Sequence, residues 1–324
     1  MTASTSTRTR RRPTSLNALD IETLRFITRF QYVRGAQIAQ WTGASPWTIR
    51  KRLRGLVDHH LVTSSVLSVY LRDGDNRIVP SQASVWRVNP RGAELAGEWP
   101  VPGTAQRISL PGGGGRSRLM SDHVVGVADL AGWYRSYGFE VAAEREILSL
   151  ERPVALPRAR RAAVSADWSV RIPGHTGIHA PDMGAVDPAG AMWAIELERA
   201  TKTVEAYQEV IGAYRAAGLG QVWHILSGST ARRVMEACTR LGVIWAPPPL
   251  PGVSVSHDGL VRLGVWRPGR VVGPRGPADW PSIPRVPPAG FVDLARIDQT
   301  ATWRMGVPVN VHDPSWESIG GIVP

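Results

Sequence analysis

Apolar residues recur at Leu19, Ile21, Leu24, Ile27 and Phe30, a helical spacing that predicts a first helix over 17–30. Gly35 opens a second, shorter helix with Ile38, Ala39 and Trp41 turned inward, and Gly43 closes it. Ser45 and Pro46 carry the N-cap and first-position signals of a third helix, 46–59. Ile49, Leu53, Leu56 and Val57 read as its buried stripe, and Trp47, Arg50, Lys51, Arg52 and Arg54 as its other face. The Val-, Ser- and Thr-rich run 61–71 predicts a strand, Asp73-Gly74-Asp75-Asn76 a turn and 84–88 a second strand. Asn89-Pro90-Arg91-Gly92 then starts a trailing helix with Ala93, Leu95 and Ala96.

Three helices, a two-stranded wing and a trailing helix make a winged helix-turn-helix over 17–100, preceded by a basic arm, 1–16. The Gly- and Pro-rich segment 101–118 reads as a flexible linker. Beyond it the pattern predicts a helix over 119–138 and strands over 139–148, 168–172, 180–186 and 191–198. A helix over 202–217, a strand over 221–226, a helix over 229–242 and a last strand over 243–247 follow. That order is a mixed α/β domain, 119–246, so the fold class is α+β. Residues 247–324, rich in Pro, Gly and Trp, read as an irregular extension with one short hairpin near 260–266. Trp266, Trp280, Trp303 and Trp316 would clamp it onto the second domain.

Charge sharpens the picture. The chain carries +11, and residues 1–100 hold 15 Lys and Arg against 7 Asp and Glu, so +8 lies in the first third. Such asymmetry points to a polyanionic partner, double-stranded DNA, met by Trp47, Arg50, Lys51, Arg52 and Arg54. The single cysteine, Cys238, allows no internal disulfide and no cysteine metal cluster. With no signal-like h-region and no apolar run of spanning length, the expectation is a cytoplasmic protein that binds no membrane. The histidines show no zinc-ligand spacing, and His123 reads as a helix cap.

The distinctive chemistry is Pro181-Asp182, then Glu196-Leu197-Glu198, then Lys202, one of only two lysines. In 192–198 the odd residues Trp193, Ile195 and Leu197 share one face, and Glu196 and Glu198 share the other. Asp187-Pro188-Ala189-Gly190 has the signature of a type I turn followed by a left-handed Gly, a three-residue hairpin loop. That loop pairs Val186 with Met192, Gly184 with Ala194 and Asp182 with Glu196, whereas a two-residue loop would scatter the acids over both faces. Neighbouring carboxylates repel unless a cation or donors offset them, and Mg2+ or Mn2+ held by Asp182, Glu196 and Glu144 is the expectation. Glu198 or Lys202 would orient an attacking water, so Asp182, Glu196, Glu198 and Lys202 are the candidate catalytic residues.

The acids resemble the PD-(D/E)XK nuclease pattern, with Glu144 first, Pro181-Asp182 second, and Glu196-Leu197-Glu198 third. Glu198 departs from it where Lys is expected, and Lys202 on the following helix is placed to substitute. "SVWRVNPRGAELAG" resembles the wing-to-helix junction of bacterial winged-helix regulators. The winged helix, the linker, the helix near His123, "AERE", "PD", "IELERATKT" and the following helix with Tyr214 make residues 17–246 resemble the replication-relaxation family of actinobacterial mobile elements. The resemblance implies a DNA-binding protein of a plasmid, phage or integrative element, acting in replication, relaxation or transfer, with a nuclease-like second domain. Two alternatives stand beside it: a Mg-dependent DNA endonuclease, and a winged-helix transcriptional regulator. A second copy of the chain or mobile-element transfer proteins are the further partners considered.

Overall fold

The computed structural model describes residues 16–72, 78–112, 121–151, 168–175, 178–225, 228–244, 254–255 and 260–265. The basic arm, the wing turn, the Gly-rich run 113–115 and the tail tryptophans lie outside the described residues.

Helix α1 (Ala18–Phe30) begins with a capping box, in which the Asn17 side chain accepts from the Asp20 amide at 2.9 Å and Asp20 accepts from the Asn17 amide at 3.0 Å. Strand β1 (Val33–Arg34) leads into α2 (Gly35–Thr42), which ends on Gly43 at φ 71°. Helix α3 (Pro46–Asp58) is capped by Ser45, whose hydroxyl accepts from the Thr48 amide. An antiparallel pair follows, β2 (Val62–Arg72) and β3 (Ile78–Val88), and β1 adds to the far edge of β3 in the order β1-β3-β2. Helix α4 (Pro90–Ala96) closes this half. Gly92 is needed there, because a Cβ at that position would lie 2.2 Å from the Leu61 carbonyl oxygen.

Two short strands, β4 (Trp99–Pro100) and β5 (Arg107–Ile108), pair antiparallel. The remainder is α5 (Ser121–Ser136), β6 (Glu140–Ala143), α6 (Glu144–Glu151), β7 (Val170–Arg171), β8 (Ile178–His179), β9 (Met183–Val186), β10 (Met192–Glu198), α7 (Val204–Ala216), β11 (Gly220–Ile225), α8 (Gly228–Arg240), β12 (Ser254–Val255) and β13 (Val261–Val265). Six of these strands form one mixed sheet in the order β12-β13-β11-β10-β9-β6. The pairs β6–β9 and β9–β10 are antiparallel, and β10–β11 and β11–β13 are parallel. Strand β10 is therefore central, and helices cover both its faces. Trp193, Ile195 and Leu197 join the core that also holds α5, and Ala194 joins the one under α7 and α8. The architecture is α+β.

Several expectations are corrected. The strand foreseen over 139–148 stops at Ala143, and Glu144 starts a helix instead. The buried Glu146 carboxylate accepts the Ala143 amide at 2.6 Å, satisfying a donor at that helix start. Residues 243–244 form no strand, and the parallel place beside β11 is taken by β13 from the expected irregular extension. The foreseen linker is packed over 101–112, with Val101, Ile108 and Leu110 buried. One hydrophobic core runs from Leu24 on α1 to Leu197 on β10, across that expected boundary. Val57 turns away from its helix's buried stripe and is 37% exposed.

Candidate functional site

The β9–β10 hairpin builds the acidic site. The Asp187 amide donates to the Ala191 carbonyl at 2.9 Å and the Gly190 amide to the Asp187 carbonyl at 2.8 Å, with Gly190 at φ 86°. The ladder pairs Val186 with Met192, Gly184 with Ala194 and Met183 with Ile195, the register that the turn signature predicts. It ends there. Asp182 lies one step beyond, and its Oδ2 accepts the Leu197 amide at 2.8 Å, so the carboxylate continues the pairing that the backbone abandons.

Each acid is matched to a different partner. Asp182 Oδ1 meets His123 Nε2, from the first turn of α5, at 2.8 Å. Glu196 Oε1 accepts from the Tyr214 hydroxyl at 2.7 Å and meets His179 Nε2 at 2.9 Å. Glu198 pairs with Lys202 and accepts from the Tyr207 hydroxyl at 3.3 Å. Tyr207 and Tyr214 both come from α7, so the acidic face of β10 is buried beneath a helix that brings phenol donors to it. Thr203 caps that helix by accepting from the Ala206 amide at 3.2 Å, and Lys202 sits just before the cap.

The electrostatics follow from these partners. Burial would raise the Asp182 carboxyl, but His123 and the Leu197 amide outweigh it and hold the group below the usual carboxylate range. Burial would lower the His179 imidazole, but the Glu196 carboxylate outweighs it and raises it. For Lys202 burial is likewise outweighed, by Glu198 first, and the ammonium holds its proton more tightly than usual. Burial pushes Glu198 upward despite Lys202. It also drives the Tyr207 phenol up to about 12, with the Glu198 charge adding to it, so Tyr207 serves only as a donor at neutral pH.

Asp182, Glu196, Glu198, Lys202, His123, His179 and Glu144 line one cleft of about 530 Å3. The structure thus brings all four candidate catalytic residues together, with Glu144 at the rim as the first residue of α6. The metal expectation fares differently. Among the described residues no three His, Cys, Asp or Glu side chains are arranged to hold a metal ion. Asp182 and Glu196 each spend an oxygen on an imidazole, and Glu198 spends one on Lys202, so Mg2+ or Mn2+ would have to compete with these partners for the carboxylates. His123 and His179 were missed as members of the site. Their pairing joins residues 59 and 17 positions apart, and only the proximity of His179 to Pro181-Asp182 hinted at it.

The second candidate surface is α3. Trp47, Arg50, Lys51 and Arg54 are exposed, while Ile49, Leu53 and Leu56 are buried. The spacing i, i+3, i+4, i+7 lines the exposed four along one stripe, and Lys51 Nζ lies 5.6 Å from the Trp47 ring centroid. Arg52 does not belong to it. Its Nε donates to Asp20 Oδ1 at 2.7 Å and its terminal nitrogen binds Asp20 Oδ2, which ties α3 to the start of α1.

No protein-family model, curated protein or solved structure matches this chain.

Proposed function

We propose that this chain is a double-stranded-DNA-binding protein of a plasmid, phage or integrative element, acting in replication, relaxation or transfer. The first half is a winged helix-turn-helix and the second a nuclease-like α/β unit. The observation that carries the DNA reading is the Trp47, Arg50, Lys51, Arg54 stripe. It lies on the third of three helices, directly before an antiparallel hairpin, where a recognition helix presents its face to the major groove. The mobile-element setting rests on the family resemblance. The nuclease-like reading is supported by the chain order α5, β6, β9, β10, α7, β11, with α6, β7 and β8 inserted between β6 and β9, and by acids just before β9 and along β10.

The test is a salt-dependent binding titration on duplex DNA. Arg50→Ala and Arg54→Ala are each expected to weaken binding, and each lost phosphate contact lowers the salt slope by about one. Unchanged affinity and slope in both variants would remove α3 from the interface. A DNA endonuclease is the second reading, favoured because Lys202 enters the cleft beside Glu198. The pairing of Asp182 and Glu196 with imidazoles and of Glu198 with Lys202 opposes it. Plasmid nicking with and without Mg2+ or Mn2+, on wild type and Asp182→Ala, decides between them. Metal-dependent nicking lost in the variant makes the chain an endonuclease, and its absence leaves a binding protein.

A further inference from the structure

Trp47 is the largest exposed apolar side chain among the described residues, at 67% exposure. It stands in the first turn of α3, between the Ser45 cap and Arg50, on the side opposite Ile49, Leu53 and Leu56. An indole held out of the core in this way forgoes its burial in the fold and keeps an apolar face open to a partner. Lys51 lies over the ring one turn on, and with Arg50 and Arg54 makes the surround strongly cationic. An anionic partner is thus drawn to an apolar contact.

We propose that Trp47 reads the 5-methyl group of thymine, and that the chain therefore prefers duplex sites with thymine at one fixed position. The inference rests on the duplex-DNA reading above and adds what that surface recognises. Residues at the N-terminal end of a recognition helix approach base edges, and those further along meet the backbone. In the major groove the thymine methyl is the apolar feature among the four bases; the other edges offer hydrogen-bonding groups. An indole face laid on those groups strips their water and returns no hydrogen bond, which is unfavourable. Laid on a methyl group it buries apolar area on both sides. One buried methyl corresponds to about a fourfold change in affinity. Arg50, one turn further, remains free to contact phosphate or a base edge without changing this preference.

The experiment uses the full chain. Duplexes enriched from a randomised pool are resynthesised with each thymidine in turn replaced by deoxyuridine, which deletes only the methyl group. Wild type is expected to lose about fourfold in affinity at one position and to be indifferent elsewhere. Trp47→Ala, which melts like wild type because the ring is outside the core, is expected to bind the thymidine and deoxyuridine duplexes equally. Arg50→Ala is expected to bind both more weakly and to keep their ratio. Equal wild-type affinity at every replaced position overturns the inference, as does a ratio that survives in Trp47→Ala. Failure to bind any duplex at low salt overturns the DNA reading itself, and this inference with it.

Discussion

Arg52 and Lys51 are chain neighbours on a basic helix, yet they do different work. Lys51 is exposed beside Trp47, whereas Arg52 spans to Asp20, a buried carboxylate that also caps α1. Truncating Arg52 leaves that carboxylate without its charge partner, so Arg52→Ala is expected to cost about 1–3 kcal/mol of stability. A shift of the denaturation midpoint checks this; an unshifted midpoint with weakened DNA binding would return Arg52 to the DNA-facing stripe. His224 on β11 makes a second residue-scale case. Burial pushes its imidazole down to about 3, and it meets the Tyr134 hydroxyl at 2.9 Å. In the unfolded chain the imidazole titrates near about 6.5. The unfolded state therefore takes up a proton that the folded state refuses as pH falls. The contribution is fully present above about pH 6.5 and is lost toward pH 3, at about 1.4 kcal/mol per pH unit. Unfolding free energies at pH 7.5 and 5.5 should separate wild type from His224→Gln, the variant showing the smaller loss. Parallel losses would exclude His224 as the titrating group.

Glycines at the ends and middles of elements obey opposite rules here. Gly92 on α4 faces the Leu61 carbonyl oxygen and the Val88 side chain, so Gly92→Ala must displace backbone and is expected to cost about 1–3 kcal/mol. Gly55 inside α3 has open space where a Cβ would stand, and Gly55→Ala is expected to stabilise by about 0.5–1 kcal/mol. Denaturation midpoints moving in opposite directions confirm the pair, and a neutral Gly92→Ala would mean that α4 shifts freely. Elements of this kind were legible because their signals are local. Ser45 with Pro46 and Asp187 through Gly190 each dictate a cap or turn within four residues, and the second of these set the register of β9 against β10. What escaped reading depends on distant partners. Nothing local separates Glu144 at the cleft rim from Glu146, buried against Arg29 at 3.0 Å and the Trp99 indole at 2.5 Å. Nor does local pattern place β13 beside β11, since parallel pairing carries no turn signature. The acidic site was legible as residue types in register, but the imidazoles that meet its carboxylates were not.

Across the whole molecule, contacts bind the half that carries α3 to the half that holds the cleft. Arg34 on β1 meets both Asp129 oxygens, at 2.6 and 2.8 Å, and the buried Gln37 amide donates to the Val125 carbonyl at 2.7 Å, both partners lying on α5. The Arg145 side chain reaches back from α6 to the Thr28 carbonyl, and Arg29 pairs with the fully buried Glu146. Val125 packs among Leu67, Val69 and Val85 of the hairpin. Cutting the chain near residue 112 would leave Gln37, Arg29 and Arg34 without their partners and open that cluster to water. The polar groups would turn to water, but each apolar side chain so uncovered forfeits about 1.5–3 kcal/mol, and a few such losses equal the whole stability of an ordinary domain, about 5–15 kcal/mol. The full chain is therefore expected to unfold in one transition, with tryptophan fluorescence and far-ultraviolet circular dichroism giving coincident curves. A fragment of residues 1–112 is expected to lack a cooperative transition at 25 °C and to bind DNA more weakly than the full chain. Two separated transitions in the full chain, or a fragment that melts cooperatively and binds as the full chain does, would show that the halves fold independently despite the shared core. The same contacts carry His123 on α5 and Glu144 on α6 to Asp182, so the geometry of the cleft depends on how α1 and α2 seat against the second half.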